Sequence, residues 1–247
     1  MRKKMVLVVV NWVLVSLLTA GDITDLHSTW NDLLQKYVKG GIVDYKGMAG
    51  EVKVLDRYLA RLGKEDIFTY SPAGKLAFWI NAYNAFTVKL ILNYYPVKSI
   101  RKISNPWGKR IWKAAGQTVS LDDIEHKILR KRFKEPRIHF AIVCASIGCP
   151  DLQSFAYRGE KINDQLAMVA RKFFASAKHF EIKANGDRVV IYISKIFNWF
   201  GSDFGKNKEE RIAFMQPYLD QTTMSTIKKA KIVKFKYLDY DWNLNGK

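Results

Sequence analysis

The sequence predicts an α+β protein, one domain in which a buried central helix packs on a small, mostly antiparallel sheet. Three observations carry this reading. The segment LAFWINAYNAFTVKLIL, residues 76–92, is apolar nearly all round, as a helix enclosed by its own protein must be. Amphipathic helical patterns flank it, and short apolar or alternating runs bounded by Gly, Pro and Asn supply strands. No repeat, linker or break in composition divides the chain, so residues 22–247 form one domain.

Each element follows from its local signals. Arg2, Lys3 and Lys4 precede an apolar run, Met5 to Ala20, and Thr19-Ala20-Gly21 offers small residues for cleavage. That order is the pattern of a secretory signal peptide over residues 1–21, which sends the protein to the periplasm or the exterior. The run is shorter than the ~20 residues that span a bilayer comfortably; an uncleaved N-terminal membrane anchor is the alternative. The rest of the chain contains no second stretch long enough to cross a membrane.

Ile23 to Val38 has helical spacing and ends at Gly40-Gly41, and Val52 to Leu62 repeats the pattern before Gly63. Ser71-Pro72 places a cap and a first-turn proline ahead of the central helix, which Pro96 stops near Tyr94. Ile100 to Ile103 reads as a strand, and Lys109–Trp112 and Gln117–Val119 as the arms of a hairpin. Ser120 caps a helix over 121–133, with Asp122 and Asp123 in its first turn. Ile138 to Cys144, IHFAIVC, reads as a buried strand, and Ala145 to Pro150 as a loop. Helices are expected over 161–177 and 209–219, a strand over 188–193, an aromatic cluster over 196–204, and a strand over 231–242.

The formal charge is +18; Arg2, Lys3 and Lys4 supply three of these charges, so the rest of the chain carries about +15. This balance favours a polyanionic partner, such as an anionic envelope polymer, or a peptide. Export argues against nucleic acid, as do scattered basic residues and the lack of a nucleic-acid-binding signature. No cofactor motif is found.

The candidate chemistry centres on Cys144, at the end of an apolar run where a loop begins. A thiolate nucleophile needs a base and an orienting group. His126 comes from another element and is the candidate base; Glu125 or Asn81 would orient it. Asn84, His139, Ser146 and Cys149 are the candidate substrate-binding positions around them. On a strand, His139 and Cys144 would point to opposite faces roughly 16 Å apart, which excludes a direct pair. His27 and His179 read as surface residues. Cys144 and Cys149 equally suit a disulfide in an oxidising compartment. Together with His126 and His139 they lack a recognised metal spacing, so no metal is assigned. Asn81 and Asn84 sit on so apolar a helix that each needs partners, either to brace a loop or to hold a catalytic group.

Several segments resemble one family: WNDLLQKYVKGGIVDYKGM, FWINAYNAFTVKLILNYYPVKSI, LDDIEHKILR, RIHFAIVCASIGCPDL, IFNWFGSDFG and YLDYDWNLN. In combination they are similar to domain-of-unknown-function family 547, from about Trp30 to Asn245. The resemblance implies an exported single-domain form and brings no established reaction. The segment 81–97 is also similar in rhythm to the nucleophile helix of papain-like and transglutaminase-like hydrolases, with Asn81 near the expected Cys and His139 heading a strand. Without that thiol, the resemblance implies an inactive relative or a rearranged site that uses Cys144. The sequence thus supports a thiol-type hydrolase or acyltransferase acting on peptide or cell-envelope material. The alternative is a non-catalytic module that binds an anionic envelope polymer or a partner protein.

Overall fold

A computed structural model describes residues 23–247, so the signal-peptide reading lies outside the described residues. The chain opens with α1 (Ile23–Tyr37), the paired strands β1 (Val38–Lys39) and β2 (Ile42–Val43), α2 (Tyr45–Ala49) and α3 (Val52–Lys64). The central helix α4 (Pro72–Tyr94) follows, with Gly74 N donating to the Ser71 cap at 3.0 Å and Pro72 in its first turn. Its side chains are buried on every side, including Phe78, Trp79, Ile80, Phe86 and Ile91.

The architecture mixes helix and strand as expected, but the cover over α4 is helical. α4 packs on α3, on a helix over Asp123–Phe133, and on a short 3-10 turn at Gly159–Lys161. The sheets among the described residues have two, two and three strands. A sheet that small covers one face, whereas a helix apolar all round needs cover on all of them.

The hairpin β3 (Trp112–Ala114) and β4 (Gln117–Val119) turns at Ala115 and Gly116, both at positive φ, 49° and 72°. Trp112 stacks on Phe86 of α4 with centroids 4.9 Å apart, which seals that side of the core. Beyond the 3-10 turn come α5 (Ile162–Ala175) and the strands β5 (Phe180–Asn185) and β6 (Arg188–Ile193). The chain then runs through α6 (Ile196–Trp199), α7 (Gly201–Phe204), α8 (Lys208–Met215), α9 (Gln221–Lys229) and β7 (Ile232–Tyr237). β5 pairs antiparallel with β6, and β7 joins β6 in parallel, with Ile191 opposite Phe235. A phenylalanine cluster welds α5, α6 and α7: Phe197 stacks on Phe204 at 4.0 Å, and Phe140 meets Phe173 at 4.4 Å. One continuous buried cluster runs from Leu26 to Ile227.

Two expected strands are absent. Residues 100–102 form a 3-10 turn. So do Pro136–Phe140, after which 141–144 run without regular structure. The cause lies on α4. Val143 N donates to Asn84 Oδ1 at 2.9 Å, and Asn84 Nδ2 donates to Ala141 O at 2.9 Å. One side-chain amide takes the bonds that a neighbouring strand would have taken, so the apolar run is buried without a ladder. Asn81 does the same for Tyr157, receiving its N–H at 2.9 Å and donating to its carbonyl at 2.8 Å.

His27 and His179 are not surface residues. They are 1% and 2% exposed; His27 Nδ1 lies 2.7 Å from the Tyr58 hydroxyl, and His179 stacks on Phe173 at 4.4 Å. Both sit in amphipathic stretches, His27 on α1 and His179 in the turn between α5 and β5, and each ring falls on the apolar side. The last residues, 238–247, form a strap. Asn245 N donates to Ala145 O, Ile147 N to Asn243 O and Gly148 N to Asp241 O, at 2.8–3.1 Å. Gly148 is required there, since a β-carbon would stand 2.8 Å from Asp241 N.

A candidate active site beside the disulfide

The helix over 123–133 is wound as a π-helix rather than the expected α-helix. Ser120 and Asp123 cap it reciprocally: Asp123 N donates to Ser120 Oγ at 3.0 Å, and Ser120 N to Asp123 Oδ2 at 3.1 Å. π-wound turns are uncommon and concentrate at functional sites. Here Glu125, His126 and Arg130 all reach groups at one cleft or its wall.

The cleft has a volume of about 230 Å³. Glu125, His126, His139, Cys144 and Cys149 line it, with Tyr83 from α4 and the aromatic rings of Trp107, Trp199, Tyr240 and Trp242. Five of the eight sequence candidates therefore meet in one place. His139 and Cys144 share the cleft because the segment between them is not extended, contrary to the separation expected of a strand. Asn81 and Asn84 do not line it, because both amides are spent on backbone in the core. Ser146, within the loop, is 1% exposed and bridged to Leu244.

Glu125 accepts a hydrogen bond from the Tyr83 hydroxyl at 3.1 Å. Burial pushes its carboxyl up to about 7, outweighing the opposing pull of that bond and of Arg130. His139 is held more rigidly. Its Nε2 lies 2.8 Å from Asp203 Oδ2, and its ring stacks on Phe200 with centroids 4.2 Å apart. Burial lowers its pKa, partly offset by Asp203, so the imidazole is neutral near pH 7. Asp203 in turn takes both ends of the Arg130 guanidinium, at 2.6 and 2.9 Å. Burial would raise the Asp203 pKa, but the hydrogen bonds from Arg130 and His139 outweigh it and hold the carboxyl well below the usual range. His126 is the exposed member, 3.1 Å from Arg130 Nη1 through its Nδ1. Burial and Arg130 lower its pKa.

Cys144 and Cys149 are joined as a disulfide. The sulfurs are met by Tyr240, whose hydroxyl lies 3.1 Å from Cys144 Sγ and 3.0 Å from Cys149 Sγ. Tyr240 packs between Trp199 at 4.8 Å and Trp242 at 4.7 Å, and Trp242 carries the Arg101 guanidinium over its face at 5.2 Å.

Sequence reading missed Asp203, Arg130, Tyr83, Tyr240 and Trp242. The available signal was density: FNWF and YLDYDW place six aromatic residues in two short segments with few apolar neighbours to bury them. Among the described residues, no group of three His, Cys, Asp or Glu side chains could hold a metal ion, and no helix is long and apolar enough to cross a membrane.

No curated protein and no solved structure matches the chain. Residues 69–174 match the model of a family described as protein of unknown function, DUF547. That stretch runs from just before α4 nearly to the end of α5 and contains Glu125, His126, His139 and both cysteines; Asp203 and Tyr240 lie beyond it. This match supports the domain-of-unknown-function 547 family over residues 69–174, a stretch that is similar to that family.

Proposed function

We propose that the cleft is a general acid–base active site, and that the chain is an exported hydrolase or acyltransferase acting on peptide or cell-envelope material. The observation that carries this reading is Glu125: a shielded carboxyl with one hydroxyl donor and a pKa of about 7 gives up or takes a proton readily at neutral pH. His139 is the second proton carrier. Asp203 fixes the Nε2 proton, which leaves Nδ1 as the acceptor, and Arg130 fixes Asp203. The aromatic rings of Trp199, Tyr240 and Trp242 offer flat faces against which a sugar ring or peptide plane packs. The thiol-type variant of this chemistry requires reduced Cys144, whose sulfur here is bonded to Cys149. An oxidising compartment suits that bond, which supports export alongside the Arg2-Lys3-Lys4 start and the apolar run behind it.

The test incubates the purified protein with isolated envelope material and a peptide library, and reads released products by mass spectrometry. Glu125→Gln should lower release by about 10²-fold or more, and the pH–rate profile of the parent should inflect near 7. Unchanged release by Glu125→Gln would sink the acid–base assignment. A second reading, a non-catalytic module for an anionic envelope polymer, draws on the charge of about +15 carried beyond Arg2, Lys3 and Lys4 and on the aromatic face. Retention of the material with no product from the parent would favour it.

A further inference from the structure

We infer that the Cys144–Cys149 bridge is a thiol–disulfide exchange site, which takes two electrons from the dithiol of a peptide or protein by attack at Cys144 Sγ with Cys149 as the leaving group. This goes beyond the acid–base reading and does not rest on it.

Access favours attack at Cys144. Both cysteines line the open cleft, but unequally: Cys144 is half-buried, whereas Cys149 is 4% exposed. An incoming thiolate therefore reaches Cys144 first. The leaving sulfur is met by two donors. Cys144 N donates to Cys149 Sγ at 2.9 Å, and the Tyr240 hydroxyl donates to the same sulfur at 3.0 Å. A disulfide sulfur is a weak acceptor, and a thiolate is a strong one. Both donors therefore gain strength as the S–S bond breaks, which lowers the leaving thiol's pKa and speeds its departure.

These donors are held in place. Trp199 and Trp242 pack against Tyr240, and the strap 241–245 bonds to the loop between the cysteines at Ala145, Ile147 and Gly148. Opening the bridge does not free that loop. Ala145, buried inside the loop, is held at φ 58°, a conformation that alanine rarely adopts. The open cleft with its aromatic wall suits an extended peptide carrying the reactive cysteines.

The first thiol of the dithiol, deprotonated, attacks Cys144 Sγ; the new S–S bond forms, the Cys144–Cys149 bond breaks, and its electron pair goes to Cys149. The second thiol, deprotonated, attacks the substrate sulfur of the mixed disulfide, and Cys144 leaves with the electron pair. The dithiol departs as a disulfide, and two electrons and two protons remain on Cys144 and Cys149.

The experiment uses the full chain in its oxidised form without denaturant. Reduced dithiothreitol is the dithiol probe, and reduced glutathione, a monothiol, traps the first intermediate. Samples quenched in acid are alkylated and mapped by mass spectrometry. Reduction of the folded protein, a glutathione adduct on Cys144 and a tenfold or greater slowing in Tyr240→Phe are expected. Resistance until the protein unfolds, an adduct on Cys149, or an unchanged rate in Tyr240→Phe would each overturn the inference. Should Tyr240→Phe fail to fold, Cys144→Ser leaves Cys149 as the sole thiol. A midpoint for its alkylation below the free-cysteine value of about 8.5 supports the site, and one at or above it overturns it. Loss of envelope-material turnover in Glu125→Gln with normal exchange would separate the two activities.

Discussion

The central helix and the π-helix beside it both set polar residues among apolar ones, and they use them in opposite ways. Asn81 and Asn84 on α4 each make two bonds to backbone of a distant segment, so every end of the amide is matched in a dry interior. Glu125 on the π-helix has one hydroxyl donor and a cleft on its other side. A buried polar group with all its partners inside the protein holds architecture. One left partly unmatched at a cavity wall, with its charge state disturbed, is available for chemistry. The comparison gives predictions that differ by region in both size and kind.

The largest expected effects lie on α4. Asn84→Ala leaves Val143 N–H and Ala141 C=O buried without partners and should destabilise the fold by about 2–5 kcal/mol. Phe86→Ala removes a ring that stacks on Trp112 and should cost about 3–5 kcal/mol. Chemical denaturation measures both. A loss under about 1 kcal/mol at Asn84 would show that the amide is not the clip described here.

Glu125 should behave differently, through pH. Its pKa rises from an ordinary 4.5 in the unfolded chain to about 7 in the fold. The folded state therefore favours the neutral acid: stability is full below about 4.5, falls as pH rises through the window to about 7, and is lower above it. The total is on the order of 3 kcal/mol. Glu125→Gln should remove that slope and leave the variant at least as stable as the parent at pH 8. A denaturation series from pH 4 to 8 reads the slope, and an unchanged slope in the variant would break the contrast between the two helices.

How much of this was legible follows the same division. Ser71-Pro72 and seventeen nearly unbroken helical positions make α4 readable from local pattern alone. Glu125, His126, His139, Cys144 and Cys149 stood out as reactive residue types, and the fold gathers all five at one cleft. What failed was long-range. The run 138–144 looked like a strand because nothing local shows that an amide more than fifty residues earlier in the chain will occupy its backbone. Asp203 and Tyr240 lie 64 and 96 residues beyond their partners His139 and Cys144, so neither could be paired from spacing. The amphipathic stretches around His27, on α1, and His179, in the turn between α5 and β5, did not show which way each ring turns.

The smallest effects separate the two cleft histidines. His139 is 3% exposed, bonded to Asp203 and stacked on Phe200. His139→Ala removes the stack, opens a void and leaves Asp203 with Arg130 alone, for a loss of about 2–3 kcal/mol. His126 has a side chain 43% exposed, with Asp122 at 3.8 Å and Arg130 at 3.1 Å as its polar neighbours. Little packing depends on it, and a pair that exposed is screened by solvent. His126→Ala should shift stability by no more than about 0.5 kcal/mol. If the cleft is catalytic, His126→Ala should nevertheless reduce product release from envelope material, whereas a surface histidine of equal exposure would leave it unchanged. Melting curves beside the release assay give both readings. Full release from a stable His126→Ala protein would remove His126 from the site and leave Glu125 and His139 as its proton carriers.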